Sequence, residues 1–143
     1  MSRRRGGAAL LVALVSSSAA CRSQAEAEAR VEAERVVVAV RALRDADNLD
    51  KAPRLAALRQ SQCQLKDICD LKRECVDAYT LYVSGLDSLR AVKKSLADDA
   101  GVADPKASMR LLDDAEKQVK RGRERAERCA TLEAQVSGRY KVP

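Results

Sequence analysis

The chain has 143 residues, with 27 Lys and Arg against 21 Asp and Glu, and it contains no His, Phe or Trp. The lack of His excludes nucleophiles activated by His, and three Tyr provide no platform on which sugars or bases could stack. Strong helix formers such as Ala, Leu and Glu dominate, no stretch alternates as a strand does, and there is no glycine-rich phosphate loop. The composition therefore predicts an all-α protein that is not an enzyme and binds no cofactor.

The first 21 residues have the order of an export signal. Residues 3–5 are Arg, residues 8–15 are all apolar, and small residues follow up to Cys21. The apolar run is much shorter than the roughly 20 residues that span a bilayer. The last four residues, Ser18-Ala19-Ala20-Cys21, resemble the lipobox of bacterial lipoproteins, except that this family usually has Leu where Ser18 stands.

The resemblance implies that residues 1–20 are a signal peptide and that Cys21 is lipidated and begins the mature chain. It implies an exported protein held at a membrane of the cell envelope. In enteric bacteria a lipidated Cys that is not followed by Asp usually leads to the outer membrane. The alternative is cleavage near Ala20 by an ordinary signal peptidase, which would give a secreted, soluble protein. In either case three basic residues leave with the signal, and the formal charge falls from +6 to +3.

The mature chain is predicted to begin with a helix that ends near residue 47. Residues 21–30, rich in Ala and Glu, follow the anchor and could form a helical spacer, and the bundle domain is expected over residues 31–138. A packing face with i, i+4, i+7 spacing is predicted at Val36, Val40 and Leu43.

A second, short helix is predicted over residues 51–60. Residues 47–50 form the break before it, with Asp50 as the N-cap. After it, Ser61 and Gln64 have the spacing of a capping box, which predicts that a new helix starts there.

Two longer helices, over residues 65–98 and 105–137, are predicted to form an antiparallel hairpin. Each carries apolar residues three or four apart, which is the repeat of helices that pack side by side. In the loop at residues 99–104, Gly101 offers a stop, and Asp104-Pro105 supplies an N-cap followed by Pro. The predicted seam consists of Leu65, Ile68, Cys75, Tyr79, Tyr82, Leu86, Leu89 and Leu96 in the first helix, and of Met109, Leu112, Ala115, Val119, Gly122, Ala126, Cys129 and Val136 in the second.

The last helix has three further features. Gly122 on the seam would either allow a close crossing of the two helices or be a weak point of the helix. The seam skips one step at Glu133, and Ser137-Gly138 is expected to end the helix. Residues 139–143 are then expected to form a flexible tail.

Four cysteines remain in the mature chain, and an even number in an exported protein indicates disulfides. Residues that face each other in an antiparallel hairpin have numbers that average to the loop centre. Cys75 and Cys129 average to 102, the middle of the predicted loop, so we predict that they are bonded. The remaining pair is Cys63–Cys69, which requires a helix break, because an unbroken helix would separate these residues by about 9 Å and a disulfide spans at most about 7 Å.

The spacing of these cysteines argues against the other uses of thiols. Zinc sites prefer Cys pairs two to four residues apart, and redox dithiols prefer Cys-x-x-Cys. The observed Cys-x5-Cys-x5-Cys fits neither pattern. We therefore predict no metal site and expect a disulfide-stapled antiparallel hairpin with an additional N-terminal helix, which makes a three- to four-helix bundle.

The richest charged stretch is residues 117–128, KQVKRGRERAER, with six basic and two acidic residues. It could form a face for an anionic partner such as lipid headgroups, lipopolysaccharide or an acidic cell-wall polymer. The alternative is a solvated helix face supported by i, i+4 ion pairs. Nucleic acid is not expected, since no aromatic residue interleaves with the basic ones. The candidate face consists of Lys117, Lys120, Arg121, Arg125 and Arg128.

The sequence thus predicts a small exported protein, anchored through a lipid on Cys21, that acts as a binding or accessory module of the cell envelope. Its partner would be an envelope protein or an anionic polymer. The alternative is a coiled-coil spacer that self-associates through its seam. A second exposed apolar stripe would favour oligomers, and Leu71, Leu81 and Val92 either form such a stripe or receive the first helix.

Overall fold

The computed structural model describes residues 16–97 and 104–143. Within these ranges the chain forms four helices and no strand. The helices are α1 (Ser16–Asp45), α2 (Lys51–Gln60), α3 (Lys66–Ala97) and α4 (Pro105–Tyr140). Helices α3 and α4 form the predicted antiparallel hairpin, and α1 and α2 pack against it. The predicted all-α, disulfide-stapled bundle is therefore confirmed. Among the described helices, none is both long enough and apolar enough to cross a bilayer.

Helix α1 joins the bundle only in its second half. Residues 22–31 are exposed except for a partly covered Ala29. The predicted packing face begins after them, and its burial offsets the weak helix propensity of the consecutive valines. The α1 residues that are at most 1% exposed are Ala33, Val36, Val37, Val40 and Leu43.

Helix α1 runs in the same direction as α3. The Glu32 carboxylate accepts hydrogen bonds from the backbone N–H groups of Gln64 (2.6 Å) and Leu65 (2.9 Å), just before α3 begins. At the other end, the Arg90 guanidinium donates to the carbonyl oxygen of Asn48 (2.8 Å), just after α1 ends. The start of α1 and the turn between α3 and α4 therefore lie at opposite ends of the molecule.

The short helix at residues 51–60 and the break after it are confirmed, but the predicted capping box is wrong. Ser61 is the C-cap of α2, and its hydroxyl donates to the carbonyl oxygen of Leu58 (2.7 Å). The free N–H groups before α3 are satisfied by the carboxylate of Glu32 instead. Asp50 occupies the N-cap position of α2, as predicted, but its side chain makes no capping hydrogen bond.

Both predicted disulfides are present. Cys75–Cys129, the hairpin disulfide, joins Cα atoms that are 4.9 Å apart. Cys63–Cys69, the loop disulfide, joins Cα atoms that are 5.4 Å apart and spans the break before α3. Two disulfides indicate an oxidising compartment and hence an exported protein.

The turn of the hairpin has the predicted N-cap. The Asp104 side chain accepts from the Lys106 N–H (3.0 Å), and Pro105 opens α4. The predicted stop at Gly101 lies outside the described residues.

The hairpin helices cross closely at Gly122, as predicted. A Cβ atom at this position would lie 3.0 Å from the backbone nitrogen of Tyr82 and 3.1 Å from the carbonyl oxygen of Ala78. Gly85 makes a second close approach, which was not predicted, since its Cβ would lie 2.7 Å from the Val119 side chain. Glycine at both positions therefore sets the short distance between α3 and α4.

Near the turn, three long apolar side chains of the predicted seam are exposed, although Ala115 is fully buried. Leu96 is 66% exposed, Met109 71% and Leu112 37%, although Val92 is only 2% exposed. The physical reason is that α1 and α2 are too short to cover this half, since the turn between them already lies beside Arg90. Farther from the turn, Leu71 is fully buried in the cluster that receives α1. Leu71 and Val92 are thus core residues and do not form a second exposed stripe.

The C-terminal residues also differ from the prediction. Helix α4 continues through Gly138 to Tyr140 and ends at Lys141, which has a left-handed backbone (φ 54°). The N–H of Val142 then donates to the carbonyl oxygen of Ser137 (3.0 Å), as in a Schellman motif. Val142 is only 8% exposed. The expected flexible tail at residues 139–143 is therefore wrong, because the helix cap folds these residues back onto the bundle.

Candidate functional site

The part of α1 that follows Cys21 is a helical extension. Cys21 lies within α1. Residues 22–31, which are exposed except for the partly covered Ala29, extend this helix from the bundle by about 15 Å. Local pairs support it, since Arg22 lies 3.5 Å from Glu26 and the Gln24 amide donates to Glu28 (3.0 Å). This geometry fits the predicted spacer, in which the helix leads directly from the anchor position to the bundle.

A shallow groove of about 420 Å³ runs beside this extension. Its walls are the start of α1 and the loop that carries the loop disulfide. Val31 is the one large apolar side chain in it, and charged or amide side chains make up most of the rest. The groove therefore lacks the apolar lining that small-molecule sites typically have.

Two arginines of the predicted basic face are engaged by α3. Arg125 makes a bidentate contact with Glu74 (2.9 and 3.0 Å) and also reaches Asp77 (2.9 Å), and Arg128 shares Glu74 (3.0 Å). The hydrogen bond from Arg125 is the main cause that lowers the pKa of Glu74 below its usual range. These two arginines therefore hold α4 against α3.

The other three residues of the candidate face make no ion pair with α3. Lys117 pairs with Asp113 one turn earlier on the same helix. Lys120 and Arg121 are exposed and make no side-chain ion pair with another described residue. The predicted anionic-partner face thus has two uncommitted cations, and partner binding by it stays a prediction.

The skipped seam position, Glu133, is the centre of a buried ion cluster that the sequence analysis missed. Glu133 is 7% exposed and accepts from Arg41 (2.7 Å) and Arg44 (2.7 Å) of α1. Arg41 also contacts the Ser137 hydroxyl and the oxygen of Pro143. A carboxylate that interrupts an apolar seam is a signal that could have been recognised, although it does not identify the partners of that carboxylate. The cluster fixes α1 to α4.

A buried lysine closes the end of α1. The Lys51 ammonium donates to the carbonyl oxygens of Leu43 (3.2 Å), Arg44 (3.1 Å) and Ala46 (2.8 Å). It also lies 5.7 Å and 5.8 Å from the ring centres of Tyr79 and Tyr82, and burial lowers the pKa of Lys51. A cavity of about 200 Å³ lies beside it. Because all three N–H groups of the ammonium are already used, its role is to cap α1.

The hairpin half near the turn holds four of the seven large apolar side chains that are exposed in the described chain. We call residues 86–97 and 104–120 the distal hairpin. A groove of about 370 Å³ begins there between Leu89 of α3 and Val119 of α4, and its other lining residues are all charged residues of α4: Glu116, Lys120, Arg123, Glu124 and Glu127. The strongly exposed apolar residues here are Leu96, Met109, Leu111 and Leu112.

The described residues include no group of three or more His, Cys, Asp or Glu side chains that could hold a metal ion. The described surface thus offers exposed apolar side chains on the distal hairpin and a groove whose lining is largely charged. Comparisons with protein-family models, with curated proteins and with solved structures find no match.

Proposed function

We propose that this protein is a lipid-anchored docking module of the cell envelope. Cys21 attaches it to a membrane, residues 22–31 act as a helical spacer, and the distal hairpin is the docking surface. The observation that carries the proposal is the opposite placement of the two ends: the anchor position lies near the start of α1, and α1 runs parallel to α3 towards the exposed apolar residues at the far end of the hairpin.

The dimensions support this arrangement. Helix α1 from Cys21 to Asp45 is about 36 Å long. Because α1 ends beside the middle of α3, the distal hairpin extends farther from the membrane than any part of α1 or α2. The buried ion cluster and the hairpin disulfide hold this distance fixed, since they join α1 to α4 and α4 to α3. A rigid spacer with an apolar end suits a module that meets a partner away from its own membrane.

The anchoring step is tested by Cys21→Ser in the full chain, expressed in a bacterium that processes lipoproteins. We expect the variant to lose incorporation of an alkyne-labelled fatty acid and to leave the detergent phase on phase partition. Ser18→Leu, which restores the usual lipobox residue, is the matched control and should keep the label. If Cys21→Ser is processed and partitions as the wild type does, the protein is secreted and the anchor is wrong.

A further inference from the structure

The two helices of the distal hairpin carry the same pattern of side chains on one face. On α3, Leu86, Leu89 and Leu96 follow one another at steps of three and seven residues, and Lys93 stands between the last two. On α4, Met109, Leu112 and Val119 have the same steps, and Glu116 stands between the last two. Leu89, Glu116 and Val119 line one groove. Two such hairpins packed face to face would form a four-helix bundle.

The half of the hairpin that is farther from the turn shows how such a face becomes buried. There, α1 lies over the seam and brings its residues to almost zero exposure, as at Ile68. In the distal half, Leu96 and Met109 remain more than 60% exposed, because no described element reaches them. We propose that a second copy of this chain covers the distal groove, so that two hairpins form a symmetric four-helix bundle. The proposal names the partner of the docking surface proposed above.

Two charged side chains of this face, Lys93 and the groove residue Glu116, indicate the occupant and its direction. Lys93 and Glu116 make no hydrogen bond or ion pair with another described residue. If two hairpins meet face to face about a two-fold axis parallel to the helices, α3 of each copy faces α4 of the other. The register around residue 102 places Lys93 level with residue 111 of α4, about 7.5 Å along the axis from Glu116. The two side chains can span this distance, so each copy supplies a cation and receives an anion.

The opposite arrangement is disfavoured by the same charges. With the two turns pointing in opposite directions, α3 would face α3, and the two Lys93 side chains would approach each other, as would the two Glu116 side chains. Of the two arrangements, only the one with both turns at the same end brings Lys93 of one copy near Glu116 of the other. It also places both N-terminal spacers at the same end, as anchoring of both copies in one membrane requires. Charge pattern and anchor position therefore point to the same parallel dimer.

The size of the contact sets its strength. The distal hairpin has 29 described residues, and only about half of them face the groove, whereas a standard interface uses about 20–30 residues on each side. We therefore expect a reversible dimer whose association is favoured when anchoring concentrates the copies on a membrane.

The first test is sedimentation equilibrium of residues 22–143, which contain every described buried residue and need no lipid. Between about 10 µM and 1 mM we expect a monomer–dimer equilibrium, and Leu96→Glu should weaken it at least tenfold without changing the melting temperature, because Leu96 is exposed. The matched control is Val38→Glu on α1, at 54% exposure, which should leave the equilibrium unchanged. A chain that stays monomeric at 1 mM would overturn the proposal, while anchoring through Cys21 would stand or fall on its own experiment.

The second test addresses the register. Lys93→Glu and Glu116→Lys should each weaken the dimer several-fold, and the double variant should restore it, because both contacts are then reversed. In addition, a photo-crosslinker that replaces Met109 in the full chain should yield a product of twice the chain mass in membranes. When isotopically light and heavy chains are mixed, the crosslinked peptides should join position 109 of one copy to residues 86–97 of the other copy. Crosslinks from α4 to α4, or to a different protein only, would refute the parallel dimer.

Discussion

Replacement of Gly122 by Ala should destabilise the protein, although Ala is the better helix former. The added Cβ would lie 3.0–3.2 Å from three backbone atoms of α3, which belong to Tyr82 and Ala78. A side chain could turn away, but backbone atoms move only if the helices separate, and the hairpin disulfide, two turns from Gly122, opposes that separation. Overpacking of this kind costs about 1–3 kcal/mol, while the change from Gly to Ala in a helix contributes about 0.5–1 kcal/mol in the other direction.

We therefore expect a net loss of about 1 kcal/mol, which lowers the melting temperature by roughly 4 °C in a domain of this size. Gly138→Ala is the matched control, because it lies in the same helix and its Cβ would meet nothing within 4 Å. It should raise the melting temperature by a few degrees. Circular dichroism melts of both variants measure the difference. If Gly122→Ala is as stable as Gly138→Ala, the close crossing does not constrain the hairpin and the reasoning is wrong.

Three further predictions concern stability. Removal of the hairpin disulfide, whose partners are 54 residues apart, should lower the free energy of unfolding by about 4 kcal/mol. Removal of the loop disulfide, whose partners are six residues apart, should lower it by about 2 kcal/mol. Urea unfolding of the two double Ala variants measures both losses, and equal losses would show that loop length does not matter. Lys51→Met should lower the free energy of unfolding by about 2 kcal/mol, because it removes the cap of α1. The control Lys66→Met, at an exposed position, should lower it by less than about 0.5 kcal/mol. Chemical unfolding of the two variants measures the difference. Because the folded pKa of Glu74 lies below its usual value of 4.5, the stability from this group is present above pH 4.5 and is lost as the pH falls through the folded pKa. Melting temperatures of Glu74→Gln should therefore fall less between pH 5 and pH 3 than those of the wild type, and parallel curves would contradict this.

The hairpin could be predicted because its signals are local or follow from a single turn. Asp104-Pro105 fixes where α4 begins, and antiparallel geometry then determines which residues face each other, so Cys75 and Cys129 could be paired without further knowledge. The same register brings Gly85 level with Val119, which means that the second close approach was also present in the pattern.

The docking of α1 could not be predicted in the same way. Glu32 supplies the cap before α3 from more than 30 residues away, and no local pattern reveals such a contact. Glu133 interrupts an apolar seam, and the sequence alone does not show which arginines will neutralise it. The seam also has the same spacing in both halves of the hairpin, so the residues that α1 covers could not be told from those, such as Leu96, that it leaves exposed.

The candidate site was predictable in its chemistry and not in its position. The basic residues of α4 formed one patch in the sequence, but Arg125 and Arg128 are turned towards the acidic residues of α3. The exposed apolar stripe that would favour oligomers was anticipated, although at other residues. Helix periodicity identifies a face, whereas the number of neighbouring helices decides whether that face is buried.

The ion cluster at Glu133 has a consequence for the newly made chain. Arg41 and its carboxylate partner are 92 residues apart, so at a synthesis rate of about 5–20 residues per second the arginines of α1 wait roughly 5–20 s for their counter-ion. Val142, which closes the same end of the bundle, is made later still. The α1 helix therefore cannot reach its final position on α4 until the C-terminal part of α4 has been made. The valines of α1 that are buried in the folded bundle stay partly uncovered until then.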